Sequence, residues 1–535
     1  MSIQDSTHET TTNQAGRREW IGLAVLALPC MLVTMDLTVL FLAVPKLTAA
    51  LNPSTTQLLW ITDIYGFLIA GALVIMGTLG DRIGRRRVLL SGAAAFGAAS
   101  LLAALSSSPE MLIAARALQG LAGATLVPSV MALVFNMFRD TTQRNAAIGL
   151  ITSCFAAGAA LGPLLGGALL EFFGWGSVFV INVPVMGLLL VLGPRLLPEF
   201  RNPDAGRIDL QSAAMSLAAI LPAVYGIKEI ARDGFAALPA GLIAAGVIVG
   251  VAFVRRQQRL DDPLIDVRLF RGRTFSAALG ANVLGAFVMY GIFYFISQYL
   301  QLVLDLSPLE AGLWGLPGIA GLMATAMLVP KIVQRVRPGF VVAAGLAVTA
   351  VGFAMLTALD PSDGIALLVV GSVIASIGIA PGTTLGTNLM VSSAPPENAG
   401  SVAGVAQTGN ELGGALGIAL LGSLGAALYR SDIAGAIPGG TAPDVARAAH
   451  DTLGGAVSVA DRLPAGVLDA AQAAFAHGLD VAAATCAVLM IGAAIATAVL
   501  LRHVPKSAAA PGAPQPEPAR DAAPLGGLVT AAEQA

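Results

Sequence analysis

The chain has 535 residues, 56% hydrophobic and 12% charged, against roughly 25% charged residues in an ordinary soluble domain, and its mean hydropathy is +0.79. Water is therefore not its main solvent. A formal net charge of -2 without a long run of one sign leaves no basic surface for nucleic acid.

In chain order, a polar stretch over 1–19 ends in Arg17-Arg18 and feeds an apolar run over 20–45. That run is too long for a signal-peptide core and reads as a retained first span. Runs of about 20 apolar residues, the length that crosses a bilayer as a helix, recur at 57–80, 88–106, 110–134, 146–170, 176–197, 208–231, 237–254, 275–301, 309–330, 338–359, 364–390, 400–428 and 478–501. The pattern predicts fourteen spans. The loop 431–476 has the alanine and glycine bias of a passive connector, with a small helical cap as the alternative. The tail 502–535, rich in alanine and proline, is expected to be disordered. Cys30, Cys154 and Cys486 fall inside apolar runs, as packed thiols do, which gives no sign of a disulfide framework.

Positively charged loops resist translocation, so the lysines and arginines orient the bundle. One alternate set of loops and tails holds 23 of the 30. The other set holds only Lys46, Arg232, Arg430, Arg447 and Arg462, with Arg116 and Lys228 inside spans. Both termini are expected in the cytoplasm, which requires an even number of spans.

Between the second and third spans stands Gly77-Thr-Leu-Gly-Asp81-Arg82-Ile-Gly84-Arg85-Arg86-Arg87. Its glycines permit a tight turn while an acid and several bases share one corner. The string resembles the signature loop of the major facilitator superfamily. The resemblance implies an all-α integral membrane protein of the major facilitator fold: two six-helix halves, 20–197 and 275–501, with two extra central spans over 208–254. It also implies that Asp81 faces the start of span 13 and helps to hold an inner gate closed.

Further motifs carry the same resemblance. Span 4 holds Arg116-Ala-Leu-Gln119-Gly120, similar to a family motif whose arginine is linked to proton movement; the alternative is a fixed ion pair. Span 5 carries Gly149, Gly158, Gly162-Pro163 and Gly166-Gly167, with the spacing that marks the family's antiporters. Span 1 contains Asp36-Leu-Thr38-Val-Leu-Phe41-Leu-Ala-Val-Pro45, and span 2 Trp60-Ile-Thr-Asp63-Ile-Tyr65. Both resemble the fourteen-span drug:proton antiporter branch, although Phe41 stands where an asparagine is usual.

An acid deep in an apolar span is costly and marks ion or substrate pathways. Asp36 and Glu411, the latter within Gln407-Thr-Gly-Asn410-Glu411, are the leading candidates, because a buried carboxyl can exchange a proton for a cation. Asp63 lies nearer a span end, where an interfacial acid is the alternative. Lys228, Glu229 and Arg232 read as interfacial anchors. Span 9 is aromatic, with Phe287, Tyr290, Phe293, Tyr294, Phe295 and Tyr299 plus Gln298. Such a face either stacks on flat cations or faces lipid or packs helices. Phe41, Trp60, Tyr65, Tyr290, Tyr294, Gln298, Gln407 and Asn410 are the expected cavity residues.

The four lysines lack the glycine-rich context of a phosphate loop, which disfavours an ATP-driven pump. His8, His450, His477 and His503 lie away from the membrane centre, so neither a metal site nor a membrane-embedded enzyme is indicated. The expected function is proton-driven export of lipophilic, cationic small molecules from the cell membrane, without ATP or a bound cofactor. Export of one dedicated antibiotic or metabolite is the alternative.

Overall fold

The computed structural model describes residues 15–201, 209–260, 263, 267–359, 365–393 and 399–506. Among these, fourteen helices are long and apolar enough to cross a membrane. They are span 1 (Arg17–Leu51), span 2 (Thr55–Ile83), span 3 (Arg85–Ala104), span 4 (Pro109–Met137), span 5 (Thr141–Phe172), span 6 (Ser177–Leu196) and span 7 (Leu210–Asp233). Then come span 8 (Ala237–Gln257), span 9 (Arg273–Val303), span 10 (Pro308–Ile332), span 11 (Pro338–Leu356), span 12 (Ala366–Ser392), span 13 (Ala399–Ile433) and span 14 (Val467–Leu500). The disorder expected for the tail falls on residues outside those described, apart from 502–506.

Span 1 continues as helix through Pro29 and Pro45 to Leu51, beyond the end expected at residue 45. Within a packed bundle a proline need not end a helix, because neighbouring groups satisfy the freed backbone. Ser54 caps span 2 by accepting from Gln57 N, with the Gln57 side chain returning to the Ser54 backbone. Such reciprocal capping fixes where a helix begins.

Packing separates the spans into two sets with the same internal pattern. Span 1 packs on span 5, 2 on 4, 3 on 4 and 3 on 6; in the second set 9 packs on 13, 10 on 12, 11 on 12 and 11 on 14. The sets meet through 2 with 13, 5 with 10, and 1 with 9. Spans 7 and 8 pair with each other, and span 7 lies against both 2 and 13, at the seam between the halves.

The seam is closed on the side away from the chain termini. There a Cβ on Gly167 would come within 2.7 Å of the Pro308 carbonyl oxygen, one on Gly312 within 2.3 Å of that of Pro163, and one on Gly422 within 2.5 Å of Leu59. Toward the termini the helices diverge: a Cβ on Gly149 of span 5 or Gly404 of span 13 would meet nothing within 4 Å.

The connector expected at 431–476 is instead a short cap over 434–466. Span 14 starts at Val467, and helices Pro443–Asp451 and Leu453–Ser458 fold back on the bundle. Leu453 and Ala456 are buried, Gly454 lies against Thr48 at the end of span 1, and Tyr429 Oη donates to Ala449 O at 2.7 Å. The alanine and glycine bias that suggested a passive strap is what lets these turns approach the span ends closely.

Candidate functional site

Asp36 and Arg116 meet inside the first half. The guanidinium Nη1 donates to Asp36 Oδ2 and, at 3.1 Å, to Gln119 Oε1. Asn182 Nδ2 of span 6 donates to Asp36 Oδ1 at 3.0 Å, and Gln119 Nε2 donates to Ser100 Oγ of span 3 at 2.8 Å. The Tyr65 ring lies under the guanidinium, 4.5 Å from centroid to carbon, and both charged side chains are buried. Five spans thus converge on one ion pair. Low dielectric makes such a pair strong and its disruption costly. Asp36 is therefore tied down by Arg116 within one half, and the Tyr65 ring serves that network. Asn182 and Ser100, uncharged residues in apolar runs, gave no one-dimensional signal of this role.

A second acidic centre lies on the seam. Asp63 of span 2 and Glu411 of span 13 line one narrow cleft with Leu37, Thr62, Tyr290 and Ile418. Glycine places the two helices close together here: a Cβ on Gly66 would stand 3.2 Å from Ala415 Cβ and 3.7 Å from Glu411 O. Glu411 accepts from Gln407 Nε2 at 2.8 Å, and among the described residues no cationic side chain reaches its carboxylate. Asp63 is buried, which removes the interfacial alternative.

Lys228 corrects a second expectation. It is no interfacial anchor: its side chain is 0% exposed, with Nζ 2.7 Å from Asp63 Oδ2 and 3.8 Å from the Trp60 ring centroid. The position looks terminal along span 7, but Val224 and Lys228, four residues apart, share the helix face that packs on Phe67, Ala415 and Ala419. That face is covered by spans 2 and 13 instead of headgroups.

The other expected cavity residues divide. Tyr290 borders the cleft and packs on Gly414, Gln407 holds Glu411, Trp60 holds Lys228, and Asn410 is half-buried one residue before Glu411. Phe41 instead packs against Phe293 and Tyr294 with ring centroids at 5.8 and 6.3 Å, and its carbonyl accepts from Ser297 Oγ at 2.9 Å. Gln298 turns back to Tyr294 O of its own helix at 3.2 Å. Most of the span 9 aromatics thus pack helices together on the closed side.

The span 5 glycines form a contact stripe. A Cβ on Gly158 would lie 2.1 Å from Met31 O, one on Gly162 2.0 Å from Thr38 Oγ1 and one on Gly166 2.8 Å from Val39, all on span 1. Gly167 and Pro163 instead touch span 10 across the seam. Gly149 is the exception, since its Cβ position is open. Gly158→Val is accordingly expected to destabilise the protein by about 2–3 kcal/mol through overpacking. Gly149→Ala should be neutral or slightly stabilising, because alanine suits a helix interior better by about 0.5–1 kcal/mol. Thermal unfolding in detergent separates the two; equal effects would contradict the packing assignment.

The signature loop is a corner brace. Gly84 takes φ 116 between spans 2 and 3, a conformation that favours glycine. Arg85 Nε donates to Asp81 Oδ1 at 2.8 Å, and its Nη1 reaches Pro128 O at 3.4 Å. Arg86 Nη1 donates to Leu197 O at 3.0 Å, while Arg86 and Arg87 lie 3.6 and 3.7 Å from Glu199. Gly77 also lies near Pro128, and Arg82 is exposed. Glu199, which the motif alone does not flag, anchors this corner to the end of span 6. At the start of span 13, where Asp81 was expected to point, the side chains of residues 399–401 and 403 lie outside those described.

A family profile described as Major Facilitator Superfamily matches residues 26–418. The multidrug efflux pump LfrA of Mycolicibacterium smegmatis is 42% identical over 92% of this chain and 98% of its own length. The methyl viologen resistance protein SmvA of Salmonella typhimurium is 34% identical, over 89% and 96% respectively. Among solved structures, a bacterial homologue of the human lysosomal transporter Spinster, in an inward-facing, unoccupied conformation, superposes with a TM-score of 0.68 at 19% identity. That match covers 92% of this chain and 98% of the other. With the repeated six-span halves and the seam between them, these likenesses establish that the chain belongs to the major facilitator superfamily of multi-pass membrane transporters.

Proposed function

We propose that this transporter is a proton-coupled antiporter that exports lipophilic cations from the cell, with both termini in the cytoplasm and the divergent end of the seam facing inward. The observation that carries this reading is the pair of buried acids on opposite halves, Asp63 and Glu411, bordering one cleft beside Tyr290. An uncompensated charge at that depth is costly. The occupants compatible with Glu411 are therefore a proton or a substrate cation, and competition between them is antiport in its simplest form. The halves pivot about the glycine contacts of the seam, as alternating access requires. Asp36 and Arg116 act indirectly, keeping the first half rigid as it moves.

Two relatives carry names that fit, multidrug efflux and resistance to methyl viologen, the latter a flat dication. No ATP, nucleotide loop or resident cofactor enters the cycle; the proton gradient drives it, and the substrate leaves chemically unchanged. The test is reconstitution in liposomes with an imposed pH gradient and ethidium as the fluorescent cation. Gradient-dependent ethidium movement that stops when the gradient is collapsed is the expected result. Movement of only neutral or anionic compounds from a metabolite panel would replace the reading with that of a dedicated exporter.

A further inference from the structure

Span 7 belongs to neither six-helix half, and a helix that merely fills the lipid-facing side of a seam needs no buried charge. Yet Lys228 Nζ sits between the Asp63 carboxylate, at 2.7 Å, and the face of Trp60, at 3.8 Å from the ring centroid. An acid beside an aromatic face is a general way to hold an organic cation. Here the cation it holds is tethered to the protein.

Arg116 is held by more partners than Lys228 is. Arg116 presents a rigid fork and is held by Asp36, Gln119 and the Ile61 carbonyl at once. Lys228 is a point charge on a flexible four-carbon stem, and its contact with Asp63 lacks the angles of a well-formed hydrogen bond. Asp63 also borders the cleft with Glu411 and Tyr290, so its carboxylate faces the lysine and the pathway together. Trp60 is half-buried and stacks on Tyr225 at 6.5 Å between ring centroids, with the rings 27° apart.

We infer that Trp60 and Asp63 form a cation-binding subsite whose resident occupant is Lys228, a built-in competitor that a lipophilic cation must displace. The inference rests on the cation-export reading and adds its selectivity. In the substrate-free carrier the ammonium neutralises Asp63, so once Glu411 carries its proton the seam can reset without a substrate. When a substrate cation docks against Trp60 and Asp63, Lys228 is expelled and the contact of span 7 with span 2 is released. A neutral or anionic lipophile lacks the charge to exchange for the lysine, so span 7 filters substrates by charge.

The test measures equilibrium binding of ethidium to the full chain in lipid nanodiscs at fixed neutral pH, by fluorescence anisotropy. If the subsite is free of lysine in a tenth of molecules or fewer, Lys228→Met should bind about tenfold more tightly than wild type, because apparent affinity scales with the competent fraction. Lys228→Arg keeps a tethered cation and should not show the gain, and Asp63→Asn added to Lys228→Met should abolish it. Unchanged or weaker binding in correctly inserted Lys228→Met overturns the inference.

Since removing one partner of a buried pair can unfold a protein, a second arm uses the wild type. Saturating ethidium should speed acylation of the Lys228 amine by a small water-soluble ester, read by mass spectrometry of its peptide. Labelling that is indifferent to ethidium again overturns the displacement. Absence of ethidium binding in wild type and every variant would instead remove the cation-export reading on which the inference rests.

Discussion

Glu411→Gln is expected to abolish gradient-driven export while leaving the protein folded. The substitution is nearly isosteric, and the amide oxygen can still accept the 2.8 Å bond from Gln407 Nε2, so packing of span 13 on spans 2 and 9 is retained. What is lost is the group able to alternate between a proton and a cation at the seam. Two measurements separate its roles. Substrate counterflow between equal concentrations, with no pH gradient, needs only a working substrate site and alternating access. Coupled accumulation also needs the proton carrier. Retained counterflow with lost accumulation assigns proton carriage to Glu411, and loss of both assigns it to the substrate site. Full retention of both would show that neither role belongs to this residue, and the antiport scheme would then have to run through Asp63.

The second large effect lies in the first half. Asp36→Asn or Arg116→Gln alone should destabilise the protein by about 3–5 kcal/mol, since each leaves its partner's charge buried without compensation. The two together should cost much less than the sum, because the neutral amides need no counter-ion and can exchange hydrogen bonds with Gln119 and Asn182, which already surround the site. Thermal unfolding in detergent of the wild type, both single variants and the double variant completes a double-mutant cycle, and contacting residues give coupling of about 0.5–3 kcal/mol. Additive losses would mean that the charges stabilise the fold through separate partners. Transport in the folded double variant tests whether the pair only braces the half, since a brace of neutral polar groups should still permit exchange.

The Asp36–Arg116 pair also separates what the chain alone dictates from what its folding adds. That both residues are buried follows from their places in apolar runs, and a partner carboxylate for Arg116 follows from the cost of an isolated charge there. Which carboxylate it is does not, because 80 positions separate the two and several acids were available. Lys228 is the sharper case. A lysine five residues from a helix end normally extends toward the headgroups, and only the burial of that face of span 7 by spans 2 and 13 makes the rule fail. The Ala- and Gly-rich stretch after span 13 likewise suits a strap or a cap equally well in one dimension. The distinction comes from whether those small residues find span ends to lie against.

The number of spans, the signature corner and the glycine stripe on span 5 are properties of local composition. Each apolar run partitions into lipid on its own account, residue by residue, and a helix satisfies its own backbone wherever it is placed. The sequence is therefore sufficient for the bundle and for its family. The working arrangement depends on rotation and contact. Whether Asp63 faces lipid, Lys228 or the pathway, and whether Tyr65 lines a cavity or supports an arginine, is settled by which helix faces meet. Charge pairing in a low dielectric is a property of two helices at once, and no single stretch of chain contains it.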